Sequence, residues 1–117
     1  MITYSSQANV SDSHPCQVSW VGYDNKPLSV SNVTATLFKY VGVVRTVVSG
    51  PVAMQQTDQT HRYITKMEIP SDTAGSILFV EYEATLVADD SVVKAEQIIS
   101  VNKVQTTSTP NNIISVI

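Results

Sequence analysis

The chain has 117 residues, the size of one domain, and at this length roughly two-thirds of the unfolded surface can be buried without help from metals or disulfides. Val, Ile and Thr supply 39 residues against four Leu, a balance that favours strands over helices. Charged residues are only 15% of the chain and the formal net charge is -3; this excludes the clustered Lys and Arg of a nucleic-acid partner, while a lone cysteine, Cys16, excludes an internal disulfide.

In chain order, residues 1–12 are expected to form an N-terminal arm, since no charged side chain occurs before Asp12. Cys16 to Val21 reads as a strand with Cys16, Val18 and Trp20 on one face. Tyr23-Asp24-Asn25-Lys26-Pro27 is a turn, because Asp, Asn and Pro each favour turn geometry. Val33 to Tyr40 sets Val33, Ala35 and Leu37 against Thr34, Thr36 and Phe38, and Gly42 allows a bend before a strand from Val43 to Val48. Gly50-Pro51 breaks the chain before Val52 to Gln56, and the polar run from Gln55 to His61 reads as a loop. Arg62 to Ile69 places Tyr63, Met67 and Ile69 on one side, ahead of a turn from Pro70 to Gly75. The alternation predicts about seven strands over residues 13–103, in an all-β sandwich, with residues 104–117 as a C-terminal arm.

The last hairpin carries the clearest pattern. Leu78, Val80, Tyr82, Ala84 and Leu86 share a face, as do Val93, Ala95, Ile99 and Val101, with Gln97 the exception. A two-residue turn at Asp89-Asp90 would set Leu86 opposite Val93, Ala84 opposite Ala95, Val80 opposite Ile99 and Leu78 opposite Val101. The same register would set Glu83 opposite Glu96, with Lys94 diagonally near.

Residues capable of chemistry are scattered. His14 and His61 fall in expected loop or arm positions, without a second His or Cys at metal-ligand spacing. The four glycines are isolated, so no phosphate-cradling loop is present. Glu81, Glu83 and Glu96 could form an acid pair or a cation site, but a solvated face interleaved with Lys94 accounts for them. Asp89-Asp90 has a sufficient backbone reason in a tight turn. Cys16 lacks a neighbouring base and is expected as a buried apolar residue. Trp20 is expected in the core, a sugar-stacking platform being its alternative. The expectation is therefore no catalytic residue, no metal and no cofactor.

The uncharged stretches say more. Residues 40–57 contain only Arg45 as a charge, and residues 104–117 contain none. Val43, Val44, Val47 and Val48 place apolar groups on both faces of one strand, which a strand buried on one side does not need. After a polar linker up to Asn112, Ile113, Ile114, Val116 and Ile117 form a β-prone apolar segment. These eight residues are the candidate assembly interface, the last four by strand addition to a neighbouring sheet; the alternative is a tail that packs on its own domain.

The run Val21-Gly22-Tyr23-Asp24-Asn25-Lys26-Pro27-Leu28, followed by Val33-Thr34-Ala35-Thr36-Leu37, resembles the opening of immunoglobulin-like domains of bacterial surface proteins and phage virions. Asn25 and Lys26 stand where those domains usually carry a turn glycine. The hairpin from Tyr82-Glu83-Ala84-Thr85-Leu86 to Ile98-Ile99-Ser100-Val101 is similar to their close, so the likeness spans about residues 16–101. The resemblance implies an immunoglobulin-like sandwich and a structural or adhesive role with no shared active site. The expectation is a non-enzymatic virion protein, foremost a phage capsid cement or decoration protein. It would be made in the host cytoplasm and present in many copies, with the major capsid protein or tail proteins as partners. No nucleic-acid or membrane partner is expected: the opening residues lack the basic and apolar regions of a secretory signal, and no stretch reaches the roughly 20 apolar residues of a membrane span. The alternatives are a tail or baseplate component, or an adhesin-type module that binds glycan or protein.

Overall fold

The computed structural model describes residues 3–59 and 61–103. These form eight strands and no helix: β1 (Thr3–Ala8), β2 (Ser13–Ser19), β3 (Val30–Val41), β4 (Val44–Ala53), β5 (Gln55–Gln56), β6 (Arg62–Glu68), β7 (Ile77–Leu86) and β8 (Val92–Val101). A five-stranded sheet has the order β1-β8-β7-β3-β4 and a three-stranded sheet the order β2-β6-β5. The alternating inward residues of both sheets build one core: Cys16 and Val18 of β2, Tyr63 and Met67 of β6, and Ala35, Leu37, Leu78, Val80, Tyr82 and Ile99 of the larger sheet.

Four details depart from the sequence expectations. Residues 3–8, expected within an arm, form β1, which runs parallel to β8 from Thr3 opposite Glu96 to Ala8 opposite Val101. Uncharged residues permit this, because a strand in a sheet needs backbone pairing and no solvated side chains. The strand around Cys16 begins at Ser13, which carries His14 into the sandwich. β4 runs on through Gly50 and Pro51 to Ala53. In its pairing with β3, one register slip falls between Leu37 and Phe38 and another between Ala35 and Leu37, so β4 carries two extra residues as bulges.

The fourth is the final hairpin. Leu78 faces Ile99, Tyr82 faces Ala95, Ala84 faces Val93, Glu81 faces Glu96 and Glu83 faces Lys94, a shift of two residues from the expected register. The turn is longer than two residues: Leu86 N–H donates to Ser91 O and Asp90 N–H to Leu86 O, with Asp90 at φ 59°. Asp89 Oδ1 accepts from Ser91 N and Ser91 Oγ at 3.0 and 2.6 Å, which holds that wider loop. A two-residue shift keeps every side chain on its face. The expected core face therefore survives in part: Leu78, Val80, Tyr82, Ala84, Ala95, Ile99 and Val101 are buried, while Leu86 and Val93, at the loop end, are only half-buried.

Candidate functional site

The outer face of the five-stranded sheet divides into an apolar half and a charged half. Phe38 opposes Val47 on β4 and Phe79 on β7, and Phe79 opposes Ile98 on β8, an apolar row across four strands. The Phe38 and Phe79 rings stack with centroids 5.3 Å apart, and Tyr40 meets both edge-on at 5.8 and 5.4 Å. Arg45 lays its guanidinium 4.1 Å over the Phe38 ring and reaches Glu81 at 3.4 Å. Phe38 is thereby buried although it lies outside the core between the sheets. Tyr40 and Ile77 remain about half exposed, and with Lys39, Gly75, Ser76 and Phe79 they line a depression of about 480 Å³. The row was present in the sequence as the outward alternation Thr34, Thr36, Phe38, but its partner Phe79 is 41 residues away and only the fold brings them together.

In the charged half, Lys94 Nζ lies 3.8 Å from Glu81 and 3.7 Å from Glu83. These pairs are partly exposed and hold a solvated face, each worth about 1 kcal/mol or less. Among the described residues no group of three or more His, Cys, Asp or Glu could hold a metal.

The candidate interface residues fall on an open edge. β4 is the outermost strand of its sheet, paired on one side only, with β3. Val43 sits at the tip of the β3–β4 hairpin, 95% exposed, and Val44 and Val47 are 61% and 50% exposed. Val48, one residue on from outward-facing Val47, lies on the inner face and packs partly against the core. Ile113, Ile114, Val116 and Ile117 lie outside the described residues.

Trp20 is buried in the core, which removes it from any surface platform. His61 uses its backbone carbonyl to accept from Trp20 N–H at 2.9 Å. Cys16 is buried; burial pushes its thiol pKa up, against the pull of a hydrogen bond with Tyr82. A groove of about 630 Å³ beside it runs between Val52-Ala53 and Pro15, Gln17, Ile64 and Lys66, with Cys16 and Lys66 as its titratable lining.

His14 is the residue that sequence reasoning placed wrongly. It lies buried on β2, with Nε2 3.0 Å from Ser6 Oγ of β1. Ser6 Oγ accepts from Gln97 Nε2 of β8 at 2.8 Å, and Gln97 Oε1 accepts from Tyr82 OH of β7. This polar chain joins the two sheets and explains the exceptional Gln97 on an apolar face: its amide donates to Ser6 Oγ and accepts from Tyr82 OH, so its own buried polar atoms are met. Burial holds the His14 pKa below the ordinary imidazole value of 6.5, against the opposing pull of the Asp12 carboxylate. The unfolded chain therefore binds the extra proton first, so stability present above pH 6.5 is lost as the pH falls through the window below it. The slope for one proton is at most about 1.4 kcal/mol per pH unit. Urea midpoints measured from pH 7 to 5 should fall in the native chain and lie flatter in His14→Gln; equal slopes in both would remove His14 as the cause.

No protein-family model matches the chain, and no similar curated protein or solved structure is found.

Proposed function

We propose that this chain is a non-enzymatic virion structural module, a capsid cement or decoration protein that binds a lattice through its sandwich and terminal segments. The observation that carries the proposal is the open β4 edge, where exposed Val43, Val44 and Val47 stand beside half-exposed Tyr40 and Val41 at the end of β3. A cluster of exposed apolar side chains on an unpaired edge is the character of an interaction surface. An immunoglobulin-like identity belongs to the same proposal. Its support is the strand order: β8, β7, β3 and β4 share one sheet and β2, β6 and β5 the other, as G, F, C and C′ face B, E and D in variable-type domains. Cys16 of β2 and Tyr82 of β7, joined by a side-chain hydrogen bond, stand on the strands that antibody domains link by a disulfide.

The test is location and copy number. An antibody raised against this chain should label purified particles from the source organism over the whole capsid, with many copies per particle by quantitative mass spectrometry. Label confined to the tail would select the tail or baseplate alternative. Particles free of the chain would overturn the proposal.

A further inference from the structure

We propose that the β4 edge from Val44 to Val47 is the acceptor for residues Ile113–Ile117 of a second copy of this chain, which add to it as an extra strand. The inference rests on the assembly reading above and names its contact. An edge strand offers alternate backbone N–H and C=O groups to a neighbour, and natural edges are guarded by bulges, prolines or outward charges. In β4 those guards are concentrated in one half. Both register slips fall at or beyond Val48, and Pro51 follows. From Val44 to Val47 the strand pairs regularly with β3, as Val41 with Val44, Tyr40 with Arg45, Lys39 with Thr46 and Phe38 with Val47. The one charge in that run, Arg45, reaches across the face to Phe38 and Glu81 and leaves the edge uncharged. The open stretch is thus four residues long, and the apolar segment Ile113–Ile117 is five.

The chemistry matches on both faces. An added strand sends alternate side chains to opposite sides. One set continues the apolar row that ends at Val47, and the other lies beside Val44 and Val48. Ile113 and Ile117 alternate with Ile114 and Val116, so either orientation presents apolar groups to both sides. Residues 104–117 carry no charged side chain, so docking desolvates no charge.

A second copy is favoured over the chain's own fold-back by the route. The chain leaves β8 beside Gly75, whose N–H donates to Val101 O at 3.1 Å, and β7 and β3 separate β8 from β4. Crossing the face within one copy would lay the polar residues Gln105–Asn112 over exposed Tyr40 and Ile77. Nine extended residues, 104–112, span about 30 Å, enough to reach an adjacent copy. Such head-to-tail contacts repeat from copy to copy, closing into rings or running on as chains.

The experiment compares the full chain with two variants by sedimentation velocity over a wide concentration range. One variant ends at Asn112; the other carries Val44→Lys and Val47→Lys, both at exposed positions. Each should keep the full chain's melting temperature and self-associate at least about tenfold more weakly. An equimolar mixture should form a dimer, since it contains one intact segment and one intact edge. A full chain that is monomeric at every concentration, variants that associate like the full chain, or a mixture that stays monomeric would each overturn the inference. Antibody labelling of particles is scored separately. Labelled particles with variant-insensitive association would sink this contact and keep the assembly reading; tail–edge pairing with unlabelled particles would do the reverse.

Discussion

Truncating Ile99 to Ala should destabilise the protein by about 2–5 kcal/mol, the range for a fully buried aliphatic side chain that leaves a cavity behind. Ile99 is completely buried on β8 opposite Leu78, itself completely buried. β8 is held between β1 and β7, so the backbone has little freedom to collapse into the space. Ile98, its neighbour in sequence, points to the outer face and is only partly buried; Ile98→Ala should cost about 1 kcal/mol or less. For a domain whose total stability is roughly 5–15 kcal/mol, the first substitution consumes a large share and the second does not. Urea unfolding at constant m-value measures both. Similar losses at positions 98 and 99 would mean that the two faces of β8 are not distinguished as described.

That contrast also marks what the sequence could specify. Period-two alternation determines which face a residue occupies, because a one-residue slip moves every side chain to the wrong side. It is blind to a two-residue slip, and the final hairpin differs from expectation by that amount. The deciding groups are in the loop, where Asp89 binds Ser91 and Asp90 adopts φ 59°, and neither contact leaves a signature in the apolar pattern. β1 was illegible for a different reason. Its partner β8 lies some 90 residues away and pairs in parallel, so no local turn announces it. His14 shares parity with Cys16, Val18 and Trp20, and that parity was the available signal. The polar groups that make burial of an imidazole tolerable, Ser6 and Gln97, come from two other strands. For the candidate interface, a Val-rich strand with Arg45 as its one charge suggested an interface, and Val43, Val44 and Val47 are exposed on the outermost strand. Val48, on the other face of the same strand, packs partly against the core.

Gly50→Ala should be the most damaging glycine substitution, at about 3 kcal/mol or more, while Gly42→Ala should cost about 1–2 kcal/mol. Both glycines have positive φ, 98° and 64°, so both pay backbone strain when a Cβ is added. The difference is in what the Cβ meets. At Gly42, in the hairpin tip, nothing lies within 4 Å; at Gly50 the new atom would sit 2.8 Å from Ala35 O and 3.3 Å from Thr36 Cα. Those are backbone atoms of β3, which is held between β4 and β7, and Ala35 is completely buried, so they cannot give way without loosening both pairings. The alternative is for β4 to move away, which would pull Val48 and Met54 from the core they pack against. Either response is global in a sheet this small, so the loss should appear as a lower urea midpoint for the whole domain rather than local fraying. If Gly50→Ala instead proves as mild as Gly42→Ala, then β4 does not approach β3 as closely at its bulge as these distances require. The regular edge from Val44 to Val47 would then lose the bend that sets its end.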